Sequence, residues 1–149
     1  IGCGVGYTTK TLASRLPHAT VYGIDYDHKQ IRAALRRHSG ERITFSVDDG
    51  KHLHFPDGYF DAVFVFDTMH HIEQYEDSVR EILRVLRRGG DLYVLDIDKK
   101  YFSAPVRWLD GTQSLFSKEE FLETTQRQGF RIHATGEKSV FFYVVGRKK

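Results

Sequence analysis

The chain has 149 residues with 22 lysines and arginines, 20 aspartates and glutamates and one cysteine, which predicts a single domain, 1–149, that buries roughly two thirds of its extended surface without staples. Cys3 alone excludes an intramolecular disulfide and a cysteine-based zinc site, so the default compartment is reducing and cytoplasmic. A net charge of +2 gives no general case for a nucleic-acid partner, and the longest apolar run, Val140 to Val145, falls far short of the ~20 residues of a membrane span.

The chain opens on a glycine turn, Ile1-Gly2-Cys3-Gly4-Val5-Gly6, of the kind that normally follows a strand; the expectation is that upstream residues carry that strand. Thr8 to Leu16 then predicts a helix with Leu12, Ala13 and Leu16 on one face, capped by Thr8 or Thr9 and stopped by Pro17. Thr20 to Ile24 predicts a short buried strand running into Asp25 and Asp27. Asp27 and Gln30 resemble a capping box for a helix with Ile31, Ala34 and Leu35 as its apolar stripe and Ser39-Gly40 as its stop. Arg42 to Val47 is the next strand, ending at Asp48, Asp49 and Gly50; residues 51 to 59 are irregular, and Phe60 to Phe66 is a strongly apolar strand.

A helix from about Tyr75 to Arg88 turns Val79, Ile82, Leu83, Val85 and Leu86 inward and stops at Gly89-Gly90. Leu92 to Ile97 follows as a strand. Residues 98 to 116 read as irregular, and Ser117 with Glu120 makes a capping box for a helix ending near Gly129. Phe130 to Thr135 and Val140 to Val145, joined by residues 136 to 139, predict a closing antiparallel hairpin. This alternation predicts an α/β, Rossmann-like, doubly wound and mostly parallel sheet with helices on both faces.

Glycines at 2, 4 and 6 let the backbone approach a ligand closely at the mouth of the first helix. A dinucleotide fingerprint needs glycine where Tyr7 stands, so the fit to NAD is poor. Asp25, about twenty residues on, ends the next strand where a carboxylate can accept both ribose hydroxyls. Asp48 and Asp49 end the strand after that and can receive an adenine amino group. Glycine turn, acid, acid at three strand ends describes an adenosine cradle without a phosphate clamp.

With those residues in place, the chain resembles the class I S-adenosylmethionine-dependent methyltransferases, in particular their ubiquinone-biosynthesis-like group. Ile1 to Tyr7 is similar to the first motif of that family, Val21-Tyr22-Gly23-Ile24-Asp25 to the second, and Val47-Asp48-Asp49-Gly50 to the adenine-side motif. The run from Phe55-Pro56-Asp57-Gly58 through Phe66-Asp67-Thr68-Met69-His70-His71, followed by Ile82 to Gly90, carries the resemblance furthest. It implies S-adenosylmethionine (SAM) as cofactor, with Gly2, Gly4 and Gly6 at its methionine part, Asp25 at the ribose, Asp49 at the adenine amino group, and Val65 and Phe66 offering backbone near the methionine end. Two departures stand out: the strand and acidic residue that precede the first motif in the family are not in this chain, and Asp48 replaces the usual glycine before the adenine-side aspartate.

The implied reaction is in-line methyl transfer to a small-molecule or lipid-like acceptor, in which positioning and exclusion of water are the protein's main tasks. Should the acceptor need deprotonation, His70 and His71 are the candidate bases, with loop shaping as their alternative role. Tyr7 either closes over the cofactor or packs on the first helix. Tyr101, Phe102 and Trp108 either line an apolar acceptor pocket or pack as a lid. Asp96 and Asp98 read as solvated loop residues, Cys3 as a small space-filler, and His52 and His54 as surface residues with no third ligand, so no metal is expected. A nucleic-acid methyltransferase is the alternative that Arg36, Arg37, Arg87, Arg88 and the basic tail would serve. Helix solvation explains those charges equally, and the aminomethylating and cytosine-C5 motifs are missing after Phe66. A non-catalytic SAM-fold binding module is the third reading.

Overall fold

The structure, a computed structural model, describes residues 1–38, 40, 42–102 and 114–149. The chain divides into two compact units, Ile1–Gly50 and Lys51–Lys149, and each is built around its own parallel strand pair.

The first unit comprises α1 (Tyr7–Arg15), β1 (Val21–Asp25), α2 (His28–Arg37) and β2 (Ile43–Val47). β1 and β2 pair in parallel with Val21 opposite Ile43 and Asp25 opposite Val47. Ile31 and Ala34 of α2 pack on Phe45 of β2, with Cys3 and Ile43 against them. A Cβ at Gly23 would meet Phe45 and the Thr9 hydroxyl at 2.8 Å, so only glycine lets α1 and Phe45 close over β1 at that point. Asp27 caps α2 by accepting from the Lys29 amide, but the expected box with Gln30 does not form, because the Asp27 amide donates to Asp25 instead. The capping of α1 differs from expectation: Gly6, at φ 90°, is its N-cap, and neither Thr8 nor Thr9 fills that role. The apolar stripes are also narrower than their spacing predicts, since Leu35 is 54% exposed and Leu16 40%; Ala13, Thr9, Ile31 and Ala34 carry the buried contacts. Ser39, half of the expected helix stop, lies outside the described residues.

The second unit comprises β3 (Phe60–Phe66), α3 (Tyr75–Val85), β4 (Leu86–Ile97), α4 (Lys118–Gln128), β5 (Phe130–Lys138) and β6 (Phe141–Lys148). Its sheet has the order β3-β4-β6-β5, with β3 and β4 parallel and β6 antiparallel to both β4 and β5. The closing hairpin is therefore present, and its inner strand β6 joins β4. Val63, Val65, Leu92, Val94, Phe142 and Val144 form one buried sheet face. On the helices, Val79, Ile82 and Val85 are buried in α3 and Phe121 in α4, and Phe121 stacks on Phe116 at 5.3 Å. α4 carries the full capping box of Ser117 and Glu120.

Two boundaries depart from the sequence reading for one reason, strand pairing. Leu86 leaves the helical conformation and pairs with Phe60, so β4 begins six residues earlier than Leu92, and Arg87 is held by Asp61 at 2.7 Å. β5 runs on through Lys138, opposite Phe141, leaving Ser139 (φ 58°) and Val140 as the turn. Among the described residues no helix is long and apolar enough to cross a membrane.

Candidate functional site

In the first unit the glycine turn is tied to the end of β1. The Cys3 amide donates to the Ile24 carbonyl and the Gly6 amide to the Cys3 carbonyl, each at 2.9 Å. Gly2, Gly4 and Gly6 all have positive φ, at 67°, 51° and 90°, a run that side-chain-bearing residues rarely sustain. The Asp25 carboxylate accepts from the Gly4 amide at 2.8 Å and, on its other oxygen, from the Asp27 amide at 2.9 Å. The turn, the acid at the end of β1 and the cap of α2 are thus one hydrogen-bonded assembly. Each carboxylate oxygen can accept more than one donor, so these bonds leave acceptor capacity for a ligand's hydroxyls.

The end of β2 lies alongside, the Asp48 amide donating to the Asp25 carbonyl at 3.1 Å. The Asp48 side chain is buried and accepts from the Asp49 amide at 3.0 Å, whereas Asp49 itself is only half-buried. No side chain caps α1, so its first-turn amides and positive dipole end open beside the glycines. A glycine turn with room above Gly4, where the nearest neighbour of an added Cβ would be the Gln30 carboxamide at 4.0 Å, fits the close approach of a nucleoside ligand. Tyr7 is 64% exposed and sets its ring edge-on to His38 at 5.1 Å. Burial pushes the Cys3 thiol up to about 11, which keeps it protonated and unreactive at neutral pH.

In the second unit, β3 leads into the two histidines. Val65 is buried in the sheet and Phe66 pairs with Leu95. Asp67 turns the chain at φ 52° while its amide still donates to the Leu95 carbonyl at 2.8 Å, and a short 3-10 turn, Met69–His71, follows. Asp96 organises it. One of its oxygens accepts from the Thr68 and Met69 amides at 3.3 and 2.8 Å; the other accepts from the Ile97 amide at 2.8 Å and lies 2.6 Å from His70 Nδ1. Both carboxylate and imidazole are buried, at 0% and 5% exposure.

Asp96 therefore corrects the expectation of a solvated loop residue, as does Asp98, equally buried, whose carboxylate accepts from the Lys100 and Lys118 amides. The signal was present in β4, where Leu92, Val94 and Asp96 alternate onto one buried face. His71 is exposed, its ring 3.9 Å from that of His70, and desolvation, reinforced by the neighbouring imidazole, lowers its pKa.

Asp67, His70 and Asp96 bring three ligand atoms within 4.8 Å of one another, a metal-like spacing. Three backbone N–H donors and the His70 ring already meet the Asp96 oxygens, however, so the carboxylate is spent on the turn. His52 and His54 are exposed and face each other edge-on at 5.3 Å. Tyr101 is 48% exposed with the Lys100 ammonium over its ring, and Phe102 is half-buried; Trp108 lies outside the described residues. Arg87 and Arg147 are paired with Asp61 and Asp91 across neighbouring strands.

Fold and glycine turn together define an α/β protein of Rossmann-like, methyltransferase type. Residues 1–94 match the sequence model of the family described as "Methyltransferase domain", and the chain belongs to that family, within the SAM-dependent methyltransferases. It is 37% identical over 101 residues to the methyltransferase GfsG of Streptomyces halstedii, covering 65% of this chain and 36% of that protein. It is 34% identical over 101 residues to a fatty-acid O-methyltransferase of Mycolicibacterium smegmatis, covering 68% and 37%. The chain thus spans little more than a third of the length of these relatives. Among solved structures, a Haemonchus contortus phosphoethanolamine N-methyltransferase in complex with SAM superposes with a TM-score of 0.87 at 18% identity, over 99% of this chain and 47% of the other. That likeness is one of fold.

Proposed function

We propose that this protein transfers a methyl group from SAM to a small-molecule or lipid-like acceptor. The observation that carries the reading is the hydrogen bond from the Gly4 amide to Asp25, which fixes the ribose-side carboxylate against the glycine turn. When bound, SAM supplies an activated methyl group on a sulfonium leaving group, so the chemistry needs alignment more than activation. Gly2, Gly4 and Gly6 give the backbone close approach, Asp25 accepts the ribose hydroxyls and Asp49 receives the adenine amino group. Asp48 is engaged with the Asp49 amide, which supports Asp49 as the ligand-facing acid. Val65 and Phe66 supply backbone beside the methionine end, and Tyr7 shields the cofactor. Tyr101, Phe102 and Trp108 are the proposed acceptor-side aromatics.

One of the relatives named above, a fatty-acid O-methyltransferase, supports a small or lipid-like acceptor. The cross-strand ion pairs of Arg87 and Arg147 withdraw part of the basic surface that a nucleic-acid substrate would use.

Calorimetry with SAM and with its demethylated product, S-adenosylhomocysteine, tests the cofactor assignment. Binding of both is expected, at least tenfold weaker in Asp25→Ala, a loss of ~1.4 kcal/mol or more. No binding at millimolar SAM, or binding indifferent to Asp25→Ala, refutes it.

A further inference from the structure

We infer that His38 is a positioning residue for the cofactor site: its ring holds Tyr7 beside the glycine turn, so that the tyrosine meets the ligand already oriented. The inference rests on the SAM assignment above and deepens it. All the residues involved lie in the first unit, Ile1–Gly50.

The backbone places the ring first. His38 is the C-cap of α2, its amide donating to the Ala34 carbonyl at 2.8 Å. A Cβ added at Gly6 would lie 2.8 Å from both His38 Cδ2 and Phe45 Cζ, so the two rings lie directly against the backbone of the turn. Tyr7, the next residue and the first of α1, meets the His38 ring edge-on, with centroids 5.1 Å apart and planes at 70°, the T-shaped arrangement that aromatic pairs favour. On its other side His38 faces Phe45 at 6.4 Å, and Phe45 is buried with Ile31 and Ala34 in the core of this unit. The contact thus runs from the core, through one imidazole, to an exposed tyrosine.

Hydrogen bonding does not account for the place of this ring. Its Nε2 is buried with no hydrogen-bond partner, an arrangement that costs stability for a polar atom. What the ring does make are its contacts with the Gly6 backbone, Phe45 and Tyr7. It is therefore placed by shape, as a spacer between the core and Tyr7.

The consequence falls on binding. Tyr7 is 64% exposed, and an exposed side chain that closes over a ligand gives up its rotamer freedom at that moment. One already leaning on a fixed ring has given up part of it on folding, so less is lost when the ligand arrives. An aromatic pair of this kind is strong enough to change affinity by about two- to tenfold. His38 acts through Tyr7 rather than on the ligand, and its effect disappears once Tyr7 is gone.

NMR of the wild-type protein with labelled tyrosine and histidine rings tests the contact without any variant. A nuclear Overhauser effect between the Tyr7 and His38 rings is expected, together with a shift of the Tyr7 ring signals on adding S-adenosylhomocysteine. Absence of the first, or Tyr7 signals unmoved at saturating ligand, overturns the inference. Calorimetry with S-adenosylhomocysteine then closes a double-mutant cycle on His38→Ala and Tyr7→Ala. Each single variant should bind about two- to tenfold more weakly, and the double variant no more than about twofold more weakly than Tyr7→Ala alone. His38→Phe, which keeps a ring at this position, should recover part of the loss. Losses that multiply in the double variant, or wild-type affinity in His38→Ala, overturn the inference; should His38→Ala fail to fold, the wild-type NMR contact and His38→Phe decide it. Absent binding by the wild-type protein at millimolar ligand is a failure of the cofactor assignment, whereas binding that depends on Asp25 and is indifferent to His38 is a failure of this inference alone.

Discussion

Gly4 and Gly6 are two residues apart in one turn, yet the structure predicts that an added methyl group fails at each for a different reason. At Gly6, φ is 90° and a Cβ would lie 2.8 Å from both His38 Cδ2 and Phe45 Cζ. Forcing alanine into a left-handed conformation costs about 1–2 kcal/mol, and displacing two packed rings adds ~1–3 kcal/mol. Gly6→Ala should therefore lose about 2–5 kcal/mol, a large part of the ~5–15 kcal/mol that stabilises a typical domain. At Gly4, φ is 51° and the nearest neighbour of a Cβ is the Gln30 carboxamide oxygen at 4.0 Å. Only the backbone term applies, so Gly4→Ala should lose about 1–2 kcal/mol. Its methyl group instead occupies the space above the turn, where the cofactor is proposed to sit, and should weaken S-adenosylhomocysteine binding by a factor of about ten or more. Urea denaturation followed by circular dichroism gives the first quantity and calorimetry the second. Equal stability losses at the two positions would refute the packing argument, and wild-type affinity in Gly4→Ala would refute the proposed placement of the ligand.

Ser117→Ala removes the acceptor for the Glu120 amide at the start of α4 and should lower stability by ~1 kcal/mol, read as a shift of the urea midpoint at unchanged slope; no shift would mean that the box is not formed in solution. Glu137, hydrogen-bonded by Lys100 and then Lys118, is held down to about 2 from an ordinary 4.5. A depressed carboxylate contributes stability that is complete above about 4.5 and is lost as the pH falls toward 2, because the unfolded chain takes up the proton first. The thermal midpoint of Glu137→Gln should therefore fall less than that of wild type over this range, and parallel profiles would count against the pairing. High salt should reduce the difference, since these side chains reach the surface.

Local signals were reliable where neighbours in sequence do the work. The Ser117–Glu120 box is complete, Asp27 caps α2 through the Lys29 amide alone, and β3 runs from Phe60 to Phe66 as its apolar run predicts. They failed where a glycine serves a distant contact. Gly89-Gly90 reads as a helix stop, but a Cβ at Gly90 would meet the carbonyls of Arg87 and Asp61 at 2.9 and 3.0 Å, so this glycine lets β4 close against β3. Gly136 reads as part of a connecting loop, and a Cβ there would strike the ring of Tyr143 at 2.6 Å; it sits inside β5, opposite that tyrosine. In both cases punctuation in the sequence is close approach in the sheet, and helix propensity at Leu86 yields to pairing with Phe60.

The candidate sites divide in the same way. Gly4 and Asp25 could be joined from sequence because the glycine turn and the acid at the end of β1 form a recurring pattern, and a bond of 2.8 Å links them. The paired histidines are also visible as letters, but nothing in the order His70-His71 says which one is held. That is decided by register: Phe66 is paired with Leu95, so the chain leaving β3 turns beside residue 96 and presents the Thr68 and Met69 amides and His70 to it. Slipping this pairing by one residue would put Leu95 or Ile97 in place of the carboxylate on that face. The hold on His70 is therefore a property of the β3–β4 register, which is why Asp96, 26 positions away, reads as an ordinary loop acid until the sheet is in view.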